Sequence, residues 1–136
     1  MNRSLPPAGK MFRRAAVLKC PLCGSRKTFI RRWMWRYERC RTCGIRWHRE
    51  HGFELGPIAL NVVFTFGALG ISMIAAFAAT LPHAPTGWIT LGIAAGAVLI
   101  PLIVFPFTNT LWMAFDLLSH KPDERELAEA AAAVEH

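Results

Sequence analysis

Residues 55–80 read LGPIALNVVFTFGALGISMIAAFAAT, and no Asp, Glu, Lys or Arg occurs from residue 55 to residue 115. A membrane-spanning helix needs about 20 apolar residues, so this uncharged stretch is too long for one span and suits two. Residues 81–87 include two prolines, a histidine and a glycine, which is typical of a turn. The sequence therefore predicts a membrane α-helical hairpin over residues 55–120, with two transmembrane helices at about 57–80 and 88–118.

Positive charge is concentrated before the hairpin, where 14 of the 16 Lys and Arg residues lie. Basic residues beside a span stay on the cytoplasmic side of the membrane, and a two-helix hairpin returns the chain to that side. Residues 1–19 lack the sustained apolar core of a signal peptide. We therefore expect a multi-pass protein of the inner (plasma) membrane with both termini in the cytoplasm, facing a lipid bilayer with anionic headgroups.

Two short cysteine motifs precede the hairpin, CPLCG at residues 20–24 and CRTCG at residues 40–44. They contain all 4 cysteines of the chain. The separation of the motifs lies in the C-x2-C-x15–20-C-x2-C range of zinc sites. Four thiolates suit a closed tetrahedral site, which is structural rather than catalytic. The sequence predicts that a structural zinc ion is bound by Cys20, Cys23, Cys40 and Cys43.

The four cysteines could serve three other purposes. A tetrahedral sulfur site also binds iron, and CPLCG resembles the knuckle of rubredoxins, although rubredoxin knuckles lie much further apart. Two Cys-x-x-Cys dithiols could instead serve redox chemistry. Disulfides need an oxidising compartment, which conflicts with a cytoplasmic location. Zinc is therefore favoured over iron.

The segment around the cysteines is expected to be a small N-terminal cytoplasmic zinc-ribbon β domain at residues 18–54. Residues 28–39 alternate in the period of two that is typical of a half-buried strand. Residues 1–17 are expected to be a flexible basic N-terminus, for which a strand or a short amphipathic segment along the membrane is open between residues 10 and 19. Residues 121–136 form a tail with helical spacing, either frayed or docked onto a partner.

Basic and aromatic residues are mixed in and after the expected strand, and Trp47 is expected with them at the level of the lipid headgroups. A lipid or partner surface is predicted at Arg31, Arg32, Trp33, Trp35 and Arg36. The same mixture could bind nucleic acid, because cations neutralise phosphates and aromatic rings stack on bases. The membrane already accounts for the charge, so nucleic acid is the less favoured partner.

Small and polar residues mark the second span. Gly92 and Gly96 form a Gly-x3-Gly pattern, which predicts close helix packing, either within the hairpin or between copies. Pro101 and Pro106 each remove a backbone donor, so a kink is expected. Asn109 is expected to satisfy local backbone groups rather than to serve transport.

Taken together, the motifs resemble those of a family of small bacterial inner-membrane proteins known as domain of unknown function family 983. The matching features are the two knuckles, Phe29 near the first, Gly56-Pro57 at the hairpin entry and PFTNTLWMA at residues 106–114. The resemblance covers about residues 18–120. The family often has acidic residues before Gly-Pro, where this chain reads HGFEL at 51–55. The resemblance implies a bacterial inner-membrane location and a role near respiratory-complex assembly.

The sequence shows no converging nucleophile, general base or open metal position, so no catalytic residue is predicted. The favoured function is a non-catalytic membrane protein whose cytoplasmic zinc ribbon binds a protein partner in the membrane and assists assembly of a membrane complex. The alternatives are a membrane-tethered nucleic-acid-binding ribbon and a thiol redox or metal-handling module.

Overall fold

A computed structural model describes residues 5–26, 30–32, 35–49 and 52–134 of the chain, with residues 30–32 described by their strand alone. The elements, in chain order, are α1 (Ala8–Ala16), β1 (Ile30–Arg32), β2 (Trp35–Arg36), α2 (Leu55–Thr80), α3 (Thr86–Ser119) and α4 (Glu124–Ala132). We call the described residues between 5 and 53 the cysteine lobe. The fold is thus a long helical hairpin with this lobe at one end.

Both hairpin helices are long and apolar enough to cross a membrane. α2 has 26 residues and α3 has 34, which correspond to about 39 Å and 51 Å at 1.5 Å per residue. Only 6% of the most apolar window of α2 and 0% of that of α3 is buried inside the protein. A core helix of a soluble protein would be covered by its neighbours, whereas these apolar side chains face outward. The expected pair of spans is present as two such helices.

The two helices pack antiparallel along their length. Asn61 on α2 donates a hydrogen bond from Nδ2 to the carbonyl of Pro101 on α3, at 3.0 Å. Thr65 in turn donates to Oδ1 of Asn61, at 3.2 Å. Polar side chains in a membrane span need such partners, because lipid offers none. α3 runs as one helix through both Pro101 and Pro106.

The last part of α3 packs against the cysteine lobe. Gly56, at the start of α2, lies against the indole of Trp112, so the last part of α3 continues past the start of α2. The buried residues of α3 all lie in its second half, from Pro106 onward, and include Asn109, Met113, Asp116 and Leu117. The end of α3, which lies within the expected span to residue 118, therefore also packs into the core of the cysteine lobe.

Residues 8–16, expected to be part of a flexible N-terminus, form the helix α1. Met11 and Ala15 are fully buried and lie four residues apart, on one face of the helix. The hydroxyl of Thr110 on α3 donates to the carbonyl of Ala15, at 2.8 Å. Of the alternatives open for residues 10–19, a strand or a short amphipathic segment, the structure has a short helix with one buried face.

The expected single strand over residues 28–39 is instead two short strands in the part that the structure describes. β1 and β2 pair antiparallel, with Ile30 opposite Arg36 and Arg32 opposite Trp35. A separate bridge joins Arg39 and Arg46 on either side of the second knuckle. Beneath them, Trp47 is 1% exposed and packs edge-on against Phe53, with ring centroids 5.6 Å apart. Trp47 is therefore a core residue, not the headgroup-level residue that its neighbours suggested.

The C-terminal helix α4 folds back onto the cysteine lobe. Asp123 caps its start, because Oδ1 accepts a hydrogen bond from the backbone N–H of Glu126 at 2.7 Å. Ala130 is buried, and its carbonyl lies against Gly44 in the second knuckle. The tail was expected to be frayed or to dock on a partner, but its helix docks on its own chain.

Candidate metal centre

The four cysteine sulfurs form one compact cluster, and all of them lie within 4.8 Å of one another. The Sγ atoms of Cys20 and Cys43 are 3.8 Å apart, and those of Cys23 and Cys40 are 3.9 Å apart. Ligands at about 2.3 Å from a tetrahedral zinc ion are separated by about 3.8 Å. A disulfide would need the sulfurs at about 2.05 Å. The four free cysteines are thus spaced for one metal ion.

Each pair of cysteines is held by a tight backbone turn. The N–H of Gly24 donates to the carbonyl of Cys20, and the N–H of Gly44 donates to that of Cys40, both at 2.8 Å. The two glycines have φ of +78° and +72°, in the left-handed region that other residues enter only with strain. The glycine after each Cys-x-x-Cys therefore closes the turn that points two sulfurs toward the same centre.

Backbone N–H groups and neighbouring thiols set the proton affinity of the sulfurs. A hydrogen bond from Cys20 lowers the pKa of Cys23 to about 7, and the backbone N–H of Ser25 acts in the same direction. The pKa of Cys20 is raised, because its thiol is shared in hydrogen bonds with the other sulfurs and is buried. Metal binding would release protons from such a site, since thiolates are the ligands.

An arginine braces each knuckle from outside. Arg14 of α1 donates to the carbonyls of Pro21 and Leu22, at 3.2 and 2.8 Å. Arg39 donates to the carbonyl of Gly44 at 3.2 Å. These cations also lie close to a centre that four thiolates would make strongly negative, so they offset its charge.

A hydrogen-bonded arginine connects the lobe to the hairpin. Arg36 donates to Oδ1 of Asn109 at 2.7 Å and to Oε1 of Glu54 at 2.8 Å. Nδ2 of Asn109 donates to the carbonyl of Phe105 at 2.6 Å. The guanidinium also lies over the rings of Trp47 and Phe105, at 5.5 and 5.9 Å. Asn109 does satisfy a local backbone carbonyl, and it also fixes the lobe to α3.

A second arginine is buried between the lobe, α3 and α4. The side chain of Arg49 is 7% exposed and donates to Asp116 at 2.8 Å. It makes two further hydrogen bonds to the carboxylate of Glu126, at 2.5 and 2.9 Å. Burial opposes the charge, but the hydrogen bonds and charges of Glu126 and Asp116 outweigh it and raise the pKa of Arg49. Its guanidinium is thus charged at every pH at which a protein is handled.

The structure describes only part of the expected lipid or partner surface. Trp35 is 69% exposed, in keeping with such a surface. Arg36 does not belong to this surface, because its guanidinium is hydrogen-bonded to the carboxylate of Glu54 and the amide of Asn109. The side chains of Arg31 and Arg32, and the whole of Trp33, Phe29 and His51, lie outside the described residues.

Of the two glycines in the Gly-x3-Gly pattern, Gly96 lies at the contact between α2 and α3 and Gly92 does not. A Cβ on Gly96 would lie 3.1 Å from Leu69 of α2, so Gly96 sits at the helix contact. A Cβ on Gly92 would meet nothing within 4 Å. Gly92 instead borders a shallow apolar groove between the helices.

Several connecting residues were not singled out from the sequence. Asn61 is one polar residue among many apolar ones, so its pattern does not stand out. Arg49 contacts Asp116, 67 positions further along the chain, and Glu126, 77 positions further, and such distant pairs leave no local signal. The one available signal was a lone acid, Asp116, at the end of an otherwise uncharged helix. His48, which follows the second knuckle, lies 2.9 Å from Glu54 and is absent from the cluster of ligand atoms.

Comparisons with protein-family models, with curated proteins and with solved structures find no match for this chain. The functional argument therefore rests on the cysteine centre and on the contacts that join it to the hairpin.

Proposed function

We propose that the chain is a membrane-anchored zinc protein in which one structural Zn²⁺, bound by Cys20, Cys23, Cys40 and Cys43, holds a cytoplasmic lobe in shape for binding a protein partner. The observation that carries the proposal is the spacing of four sulfurs within 4.8 Å of one another. Three of the four cysteines are buried, so a bound ion would be closed off, as in structural sites. A metal bound there by thiolates alone has no position for a substrate.

The membrane anchor is the hairpin of α2 and α3, whose apolar windows are almost wholly uncovered by the protein. Because the basic residues lie on the lobe side, that side faces the cytoplasm. Reporter domains fused to each terminus test this: both should be active on the cytoplasmic side. A terminus that reports from outside would overturn the orientation.

Binding of a protein partner is favoured over nucleic acid by the internal use of the arginines. Arg36, Arg39 and Arg49 each pair with a carboxylate of the chain itself, so they are not offered to phosphates. The resemblance to family 983 and the closed metal site favour a scaffold in assembly of a membrane complex. Affinity purification of the full chain from native membranes should recover one stoichiometric membrane complex. Recovery of ribosomes or nucleic acid alone would contradict the proposal.

The metal is tested on the full chain purified in detergent. Mass spectrometry of the elements should find one zinc per chain, and Cys40→Ser should lose it. Thr42→Ala, in the same knuckle but not a sulfur ligand, is the matched control and should retain it. Stoichiometric iron with the colour of an iron tetrathiolate would contradict zinc, and full zinc in Cys40→Ser would contradict this ligand set.

A further inference from the structure

The short helix α1 has a second apolar flank that the protein covers only in part. Met11 and Ala15 point into the core, and the side of the helix next to them carries Phe12 and Ala16, four residues apart. Phe12 is 37% exposed, and Val17, just after the helix, is 57% exposed. The core thus accounts for Met11 and Ala15, whereas Phe12 and Val17 stay partly exposed.

Basic side chains lie on the other side of that flank. Lys10 and Arg13 are exposed and pair with no carboxylate in the part of the chain that the structure describes. Arg14, by contrast, is directed to the carbonyls of the first knuckle. α1 contains no acidic residue. Its free surface is therefore a strip of apolar side chains followed by two uncompensated cations.

The position of α1 in the fold identifies what this strip meets. The hydrogen bond from Thr110 to Ala15 fixes the C-terminal end of α1 beside α3. Trp112, half a turn further along α3, lies against Gly56 at the start of α2. The end of α1 is thus at the level where the apolar hairpin meets the lobe. At that level a membrane presents its headgroups and the outer parts of its acyl chains.

We propose that α1 lies in the headgroup layer of the membrane, with Phe12 and Ala16 against the acyl chains and Lys10 and Arg13 on the phosphates of anionic phospholipids. The proposal rests on the proposed membrane location of the hairpin. An apolar flank beside basic residues is the pattern of helices that lie in the membrane interface. Continuity with the hairpin favours the bilayer over any soluble anion, because the hairpin itself brings α1 to the lipid surface.

The test is hydrogen exchange of the full chain in lipid nanodiscs, compared between phosphatidylcholine alone and phosphatidylcholine mixed with phosphatidylglycerol. Amides of α1 should exchange several-fold more slowly in the anionic discs, since each basic residue near such a surface adds about a fivefold preference. The double variant Lys10→Gln and Arg13→Gln should lose the difference between the discs. Arg125→Gln, which removes an exposed cation from α4, should keep it.

Equal exchange of α1 in the two kinds of disc would overturn the proposal. So would protection of α1 by added single-stranded RNA in discs without anionic lipid, which would assign the strip to nucleic acid. Amides of α2 and α3 report the membrane anchor in the same experiment, and they should be protected in both discs. Rapid exchange there would instead contradict the proposed function, so the two failures are distinguishable.

Discussion

Gly44 of the second cysteine knuckle lies directly against the carbonyl of Ala130 in α4, so closely that a Cβ at position 44 would overlap it. The helix is held there by two ion pairs, Arg39 with Glu129 at 3.7 Å and Arg49 with Glu126. The C-terminal helix α4 therefore packs directly on the metal-binding turn. Any change in the knuckle backbone is transmitted to α4.

The first prediction compares the two knuckle glycines. Gly44→Ala should release α4, because the added Cβ overlaps the backbone of Ala130, whereas Gly24→Ala meets only the flexible end of Arg14, at 2.9 Å. Both variants carry a similar backbone strain of about 1–2 kcal/mol, since both positions have positive φ. Trypsin should cut after Arg125 much faster in Gly44→Ala than in Gly24→Ala; the bond after Lys121 resists trypsin in both because Pro122 follows it. Equal cleavage in the two variants would mean that α4 does not depend on this contact.

The second prediction concerns the buried cation. Arg49→Met should destabilise the lobe by about 3 kcal/mol, because it takes the arginine from the carboxylate of Asp116, which is 8% exposed and keeps only the longer contact to His120 at 3.4 Å. Arg46→Met is the matched control, since Arg46 is exposed and three residues away, and it should change stability by less than about 0.5 kcal/mol. Thermal unfolding followed by tryptophan fluorescence, to which the buried Trp47 contributes, measures both. A similar stability for the two variants would refute the structural role of Arg49.

The overall plan of the chain is legible in its sequence because its signals are local. A long run without charge predicts helices for lipid, and the spacing of two Cys-x-x-Cys pairs predicts one metal site. Neither inference requires knowledge of which distant residues meet. The structure agrees with both at this level: it has two long apolar helices and one cluster of four sulfurs.

The attachment of the lobe to the hairpin could not be predicted in the same way. Arg36 and Asn109 are 73 positions apart, and each has an ordinary reading by itself, as a surface cation and as a polar residue in a span. Arg49 likewise appeared to be one basic residue among many. Their inward direction depends on acids and amides of α3 and α4, so only the tertiary structure shows which cations are occupied. Trp47 was wrongly expected at the headgroup level, because its burial against Phe53 also appears only in the tertiary structure.

The third prediction tests the close crossing of the two apolar helices. Gly56→Ala should weaken the hairpin, because the new Cβ would overlap the indole of Trp112. Gly67→Ala is the control in the same helix, since a Cβ there meets nothing within 4 Å. Replacing that glycine should be neutral or stabilise the helix by up to about 1 kcal/mol. Thermal denaturation in detergent should give a lower midpoint for Gly56→Ala alone. A loss of stability in Gly67→Ala of the same size would contradict the assigned contact.

The last prediction follows from the unequal sulfurs of the metal-free lobe. Cys23 is half-buried, and hydrogen bonding from Cys20 lowers its pKa to about 7, from an ordinary value of 9.0. The thiolate is the reactive form, so iodoacetamide should modify Cys23 first, at a rate that rises as the pH passes through about 7 and then levels off. Cys20 is fully buried and its pKa is raised, so it should remain unmodified under the same conditions.

Peptide mass spectrometry after brief labelling of the chelated protein gives the order of modification directly. Zinc added beforehand should protect Cys23 at pH 7 and above, because the metal then holds the lone pair that would attack. Modification of all four cysteines at one rate would instead show that the sulfurs separate without metal.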